Sequence, residues 1–256
     1  MSKNKVSVVI PIYKTNLSQN EQMALRQCLK ILKSYKMVIV HPKSLDISSF
    51  SEYPSLNFEP FHDDYFKSIS GYNRLMLSTE FYERFLNSEY ILIHQLDAFV
   101  FRDELLYWCN RAYDYIGAPW IATPKRGIHK LLSHFQSAKK RKRTEIFYKV
   151  GNGGFSLRHV QRHFEISKTM RKEIEKNLLL PKGDFRIMED VFWSITVPKT
   201  VPNFKIPYYK EGLKFAFDRK PKLAFKLNNN ELPFGCHGFE KPKVKAFWEN
   251  IFKQLD

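Results

Sequence analysis

Apolar and polar positions alternate between two regimes along the first half of the chain. Residues 6–12 form a β-branched run that stops at Pro11 and Tyr13, which predicts a buried first strand. In residues 21–32, Met23, Ala24, Cys28, Ile31 and Leu32 recur at helical spacing, predicting a helix with one apolar face. Residues 37–40 form a second short apolar run, closed by His41 and Pro42. Strand, helix and strand in that order make a βαβ unit with a right-handed crossover in a parallel sheet. A third strand is expected near Phe58 and a helix over 70–86, with Leu75, Leu77, Phe81 and Phe85 as its apolar face. The first half of residues 90–101 reads as a buried parallel strand, and the run is then broken by His94, Gln95 and Asp97.

A carboxylate set among large apolar side chains loses its hydration and must recover that cost from a cation, hydrogen bonds or protonation. Ligands of open α/β sheets sit at the carboxyl ends of the strands. Asp97 is therefore either a metal or ligand group at a strand end or a turn aspartate that follows a strand. Beyond it the pattern predicts a helix over 103–113, a short strand and turn over 114–120, and a charged helix running to Lys176. The tail, rich in Lys, Pro and Phe, ends in a short helix. With no internal repeat or low-complexity linker, residues 1–256 read as one domain carrying a basic insertion at about 123–147.

Composition narrows the function. The 22 Phe and 13 Tyr in a chain that is 43% hydrophobic exclude general disorder. A formal charge of +16 favours polyanionic partners: nucleic acid, an anionic membrane or phosphorylated small molecules. Cys28, Cys109 and Cys236 have no metal-ligand spacing and read as free thiols of a reducing cytosol. No signal-peptide pattern or membrane-length apolar run occurs, so a soluble cytoplasmic protein is expected.

Three more stretches carry candidate chemistry. Gly151, Gly153 and Gly154 surround Asn152 in a loop that is either a tight turn or a place where a ligand meets backbone, with glycine supplying φ > 0. It is neither a P-loop nor a dinucleotide fingerprint. Glu189 and Asp190 precede Val191, Phe192 and Trp193. Such carboxylates complement a helix dipole, or one of them serves as a general base in a pocket. His237 lies in a tail between glycines, as a plain core or surface histidine or as a ligand.

Together, the strand ending in Gln95-Leu96-Asp97, the loop 151–154, Met188-Glu189-Asp190 and the late His237 resemble the landmarks of GT-A fold glycosyltransferases. More closely, residues 114–120, 151–158 and 189–193 are similar to an uncharacterised bacterial GT-A-like family. The resemblance spans residues 6–239. It implies an α/β, Rossmann-like single domain with a mostly parallel central sheet flanked by helices. It also implies transfer of a hexose from a nucleotide sugar, a UDP-sugar, to a hydroxyl of a polysaccharide or lipid-linked glycan, with inversion. Such a protein would serve polysaccharide or lipopolysaccharide assembly in the bacterial cytosol.

By the same resemblance, Asp97 and His237 ligate a divalent Mn²⁺ or Mg²⁺, and Gly153 and Gly154 line the donor. Asp190 is the base, Glu189 a second carboxylate, and Pro11, Tyr13, Asn73, Arg74 and Gln95 fall where the nucleotide is held. Gln95 departs from the pattern: it replaces the first acid of Asp-x-Asp and supplies no charge, leaving metal-independent action open. The alternative is a non-catalytic sugar-nucleotide-binding protein of the same fold. A specific nucleic-acid role has no motif behind it. In residues 125–143, Ile128, Leu131, Leu132 and Phe135 fall at helical spacing beside the basic run 139–143. That segment reads as a solvated surface helix or as a peripheral contact with the anionic inner face of the membrane.

Overall fold

The computed structural model describes residues 4–123, 144–181 and 183–254. The expected basic segment 125–143 lies outside these residues. The first strand, β1 (Asn4–Pro11), is followed by the helix Gln19–Ile31, β2 (Lys36–Pro42) and β3 (Leu56–Phe61). Ser18 caps that helix by accepting from the N–H of Glu21, whose carboxylate accepts from the N–H of Ser18 in return. The stretch 90–101 holds β4 (Ser88–His94), the expected strand, and a separate β5 (Ala98–Val100); β6 (Tyr115–Gly117), β7 (Phe155–His159), β8 (Ala216–Phe217) and β9 (Gly235–His237) follow.

Among the described residues, one sheet has the order β3-β2-β1-β4-β7-β6 and a smaller one the order β5-β9-β8. β1, β2, β3 and β4 pair in parallel, as the βαβ pattern requires, whereas β7 is antiparallel to both β4 and β6. Both faces of the large sheet are covered. Val8 and Ile10 of β1 pack with Leu25, Cys28 and Leu32 on one side, while Val9 packs with Leu75, Met76 and Phe81 on the other. Strand alternation and helical periodicity therefore meet at each face.

Two helical stretches are interrupted, each for a local reason. The helix over 70–86 is two pieces, Ile69–Leu77 and Thr79–Glu83. Between them Ser78 donates its hydroxyl to the carbonyl of Leu75 and accepts from the N–H of Phe81, ending one helix and capping the next. After Glu189–Val191 the turn widens over Phe192–Thr196 before Val197–Thr200. Pro198 has no N–H for the carbonyl four residues back, so a regular turn cannot close there.

Candidate active site

The site begins where β4 leaves the large sheet. His94 is its last residue, with no exposed surface and its ring against Phe155. Burial holds it neutral, its pKa lowered to about 4. The N–H of Gln95 then donates to the carbonyl of Gly154 at 2.8 Å, and that of Ala98 to the carbonyl of Gln95 at 2.9 Å. This turn lifts the chain into β5, which pairs antiparallel with β9 so that Ala98 faces His237. β8 lies parallel to β9, with Phe217 opposite Cys236. The small sheet thus delivers Asp97, Asp218 and His237 to one end.

Their side chains meet. His237 Nε2 lies 3.0 Å from Asp97 Oδ1 and 3.2 Å from Gln95 Oε1. On the other edge of the ring, Nδ1 is 2.9 Å from Asn152 Nδ2 and 3.5 Å from Asp218 Oδ1. Lys241 Nζ stands 3.9 Å from Asp97 and 3.8 Å from Asp218. Burial opposes charge on His237, but Asp97 and Asp218 outweigh it and raise its pKa to about 9. Burial likewise opposes charge on both aspartates, and the cations His237 and Lys241 nevertheless hold their pKa values below the usual range. The cluster is a charged network in which each group keeps its neighbours ionised.

The loop 151–154 connects this cluster to the acidic pair. Asn152, not a glycine, takes the positive φ, at 67°, which corrects the expectation for Gly153 and Gly154. Its carbonyl Oδ1 accepts from the N–H groups of Gly154 and Phe155, which aims its amide nitrogen at His237. The two glycines are small for a packing reason. A Cβ on Gly153 would meet Glu189 Oε1 at 1.7 Å, and one on Gly154 would meet His237 Nε2 at 2.1 Å. At these two points the place a Cβ would take is filled by the protein's own polar side chains.

Glu189 and Asp190 divide their tasks. Glu189 is buried and pairs with the fully buried Arg158 at 3.0 Å. Arg158 also donates to Tyr82 Oη and Ser156 Oγ. Burial raises the Glu189 pKa to about 7 against the pull of that guanidinium. Asp190 is half-buried, its Oδ1 accepting from the N–H of Val191 at 2.8 Å. Burial raises its pKa too; the backbone N–H groups of Val191 and Asn152 oppose the rise and the charge of Asp218 adds to it. Asp190 therefore borders the His237 cluster across Asn152, with the raised basicity a general base needs.

A divalent cation at this cluster would take the place of the proton between His237 and Asp97. Adjacent oxygen and nitrogen ligands on a small divalent ion with bonds of about 2.1 Å lie about 3 Å apart. Nε2 of His237 has that spacing from both Asp97 and Gln95. The set is one carboxylate, one imidazole and one neutral amide oxygen; among the described residues no group of three or more His, Cys, Asp or Glu side chains has the arrangement of a metal site. Gln95 stands where a second acid would complete one.

The remaining predicted residues have other surroundings. Pro11 is buried at the end of β1 and Tyr13 is 59% exposed just beyond it. Asn73 is buried, its Oδ1 accepting from the N–H of Glu189, while Arg74 is exposed and donates to the carbonyl of Asp64. Sequence reasoning missed Asp218, Lys241 and Arg158. For Asp218 a signal existed, since it follows the apolar run Phe215-Ala216-Phe217 as Asp97 follows β4. Nothing local marked Arg158, because a buried cation is recognisable only beside its partner.

The chain matches the family described as "Protein of unknown function (DUF5672)" over residues 55–237. No curated protein matches it in sequence. Its fold is similar to that of the galactosyltransferase LgtC in complex with donor and acceptor sugar analogs, at 14% identity and a TM-score of 0.53, covering 90% of this chain and 86% of that one. It is also similar to the glycosyltransferase GlyE of Streptococcus pneumoniae TIGR4, at 12% identity and a TM-score of 0.54, covering 96% of this chain and 60% of that one. These likenesses establish the GT-A fold, a mixed α/β domain with a central sheet flanked by helices, as the resemblance implied.

Proposed function

We propose that this chain, which belongs to the family described as protein of unknown function DUF5672, is a glycosyltransferase that uses a nucleotide sugar. One observation carries the reading: Asp97, Asp218, His237 and Lys241 converge beside Asp190 at the strand ends of a GT-A sheet. Carboxylates and a cation around one imidazole suit a diphosphate and its counterion, and a half-buried carboxylate with raised pKa next to them suits removal of a hydroxyl proton.

In this reaction Asp190 takes the proton of an acceptor hydroxyl. The freed oxygen forms a bond to C1 of the donor sugar as the bond from C1 to the diphosphate oxygen breaks, giving inversion. Lys241 bears on the negative charge of the departing diphosphate. Asp97 and His237, with Gln95 beside them, would hold Mn²⁺ or Mg²⁺, which when bound neutralises diphosphate charge. Glu189, locked to Arg158, fixes the turn that carries Asp190. Pro11, Tyr13, Asn73 and Arg74 border the nucleotide end, and Gly153 and Gly154 shape the donor side. The donor is a UDP-hexose and the acceptor a polysaccharide or lipid-linked glycan of bacterial surface assembly, met at the inner face of the membrane.

Incubation with a panel of nucleotide sugars and Mn²⁺ tests this reading. Slow hydrolysis of one UDP-sugar, with the released sugar of inverted configuration, is the expected result. A retained configuration removes Asp190 as base. The second reading, a binding protein without turnover, is favoured by Gln95 in place of an acid; binding of UDP with no hydrolysis or transfer of any donor selects it.

A further inference from the structure

Behind Asp218 lies a cavity of about 230 Å³. Trp120, Phe147 and Phe217 form aromatic walls, Leu213 and Ala224 add apolar surface, and Asp218, Arg219 and Lys220 supply its charges. At about 30 Å³ per water the volume equals some seven or eight waters, enough for one sugar ring. The cavity borders the site already described at two points. Asp218, with 7% of its side chain exposed, faces His237 Nδ1 while lining the cavity. Trp120 packs on the glycine loop, where a Cβ on Gly151 would meet its ring at 2.0 Å.

The lining is amphiphilic in the manner of a sugar ring, whose C–H faces pack on aromatic walls while its hydroxyls need hydrogen-bonding groups. Its charges do not balance. Arg219 pairs with Asp218 at 3.6 Å. Lys220, half-buried, donates to the carbonyl of Ile121 at 2.7 Å and lies 5.9 Å from the Phe147 ring centre, with no carboxylate paired to it among the described residues. Burial and the neighbouring Arg219 both oppose its charge. A half-buried cation with no paired carboxylate is stabilised by an anion that reaches it.

We propose that this cavity is the acceptor subsite and takes a sugar residue bearing an acidic group, a phosphate or a carboxylate, with Lys220 on the acid and Asp218 on a hydroxyl. The assignment rests on the glycosyltransferase reading and names its acceptor class. Isothermal titration of the full chain with glucose, glucose 6-phosphate and glucuronate tests it, alongside UDP with Mn²⁺ on the same protein. The expected result is that at least one acidic sugar binds about tenfold or more tightly than glucose, since a charge-assisted hydrogen bond is worth that much. The better of the two identifies phosphate or carboxylate. Lys220→Gln, which keeps a donor for the Ile121 carbonyl, should lose the preference; Lys220→Arg should keep it. UDP binding should stay within about twofold in both. Equal affinity for the three sugars in the unaltered protein, or a preference that survives in Lys220→Gln, overturns the subsite. If Lys220→Gln does not fold, the comparison of the three sugars decides alone. Failure of UDP to bind rejects the glycosyltransferase reading instead, a result the sugar titrations do not share.

Discussion

At the scale of single residues, the electrostatics assign unequal duties to similar side chains. Asp190 borders the cluster with raised basicity, whereas Glu189 is consumed by Arg158. Asp190→Asn preserves shape and removes the proposed base. Transfer should fall by about 10²-fold or more while donor affinity changes less than about twofold, measured as initial rate against calorimetric binding. Asp97→Ala and His237→Ala test the proposed diphosphate end of the site. Each should weaken Mn²⁺-dependent UDP binding by about tenfold or more while thermal unfolding stays cooperative. UDP affinity unchanged by either substitution would remove the cation from Asp97 and His237. His94 belongs to stability. Its folded pKa of about 4 lies below the unfolded 6.5, so the unfolded chain binds the extra proton between those values. Its contribution is full above pH 6.5 and is lost as pH falls to 4, a change of about 3 kcal/mol. Urea midpoints at pH 7.5 and 5 should therefore converge in His94→Leu relative to the unaltered protein.

At the scale of elements, the fold relies on joints that serve two elements at once. Arg158 on β7 is fully buried and reaches Glu189 at the start of Glu189–Val191, Tyr82 on Thr79–Glu83 and the ring of Tyr115 on β6. Removing one partner of a buried pair leaves an uncompensated charge. Arg158→Leu should cost about 3–5 kcal/mol in denaturant unfolding. Replacing both, Arg158→Leu with Glu189→Leu, should recover part of that loss. A double variant no more stable than the single one would show that the joint acts through shape and its other hydrogen bonds.

At the scale of the whole molecule, charge and shape make separate statements. No helix among the described residues is long and apolar enough to cross a membrane, while the chain carries a formal charge of +16. The densest basic run, residues 139–143, is one argument for peripheral binding to an anionic surface. Each basic residue near such a leaflet contributes about 1 kcal/mol, so five suffice to localise a protein. Sedimentation with phosphatidylserine vesicles at low salt should carry the protein down and high salt should release it. A variant with residues 139–143 neutralised should stay in solution. Equal sedimentation of both proteins would assign any binding to the remaining positive surface.

Sequence by itself determined the large sheet's first half, because β1, β2 and β4 are short apolar runs whose burial needs no distant partner to be read. It also marked Asp97, Glu189, Asp190 and His237, since polar groups embedded in apolar or glycine-flanked stretches are locally anomalous. The helix break at Ser78 escaped it because a hydroxyl cap competes with helical pattern on nearly even terms. What only the tertiary structure decided was which of these groups meet. Asp97 and His237 are far apart in the chain and are joined by the pairing of β5 with β9, a register no local pattern specifies. The same small sheet brings in Asp218, and the close packing of Glu189 and His237 against Gly153 and Gly154 explains those glycines. Periodicity reports the environment of one residue at a time, whereas a site is a set of distances, and those are fixed by strand pairing and packing.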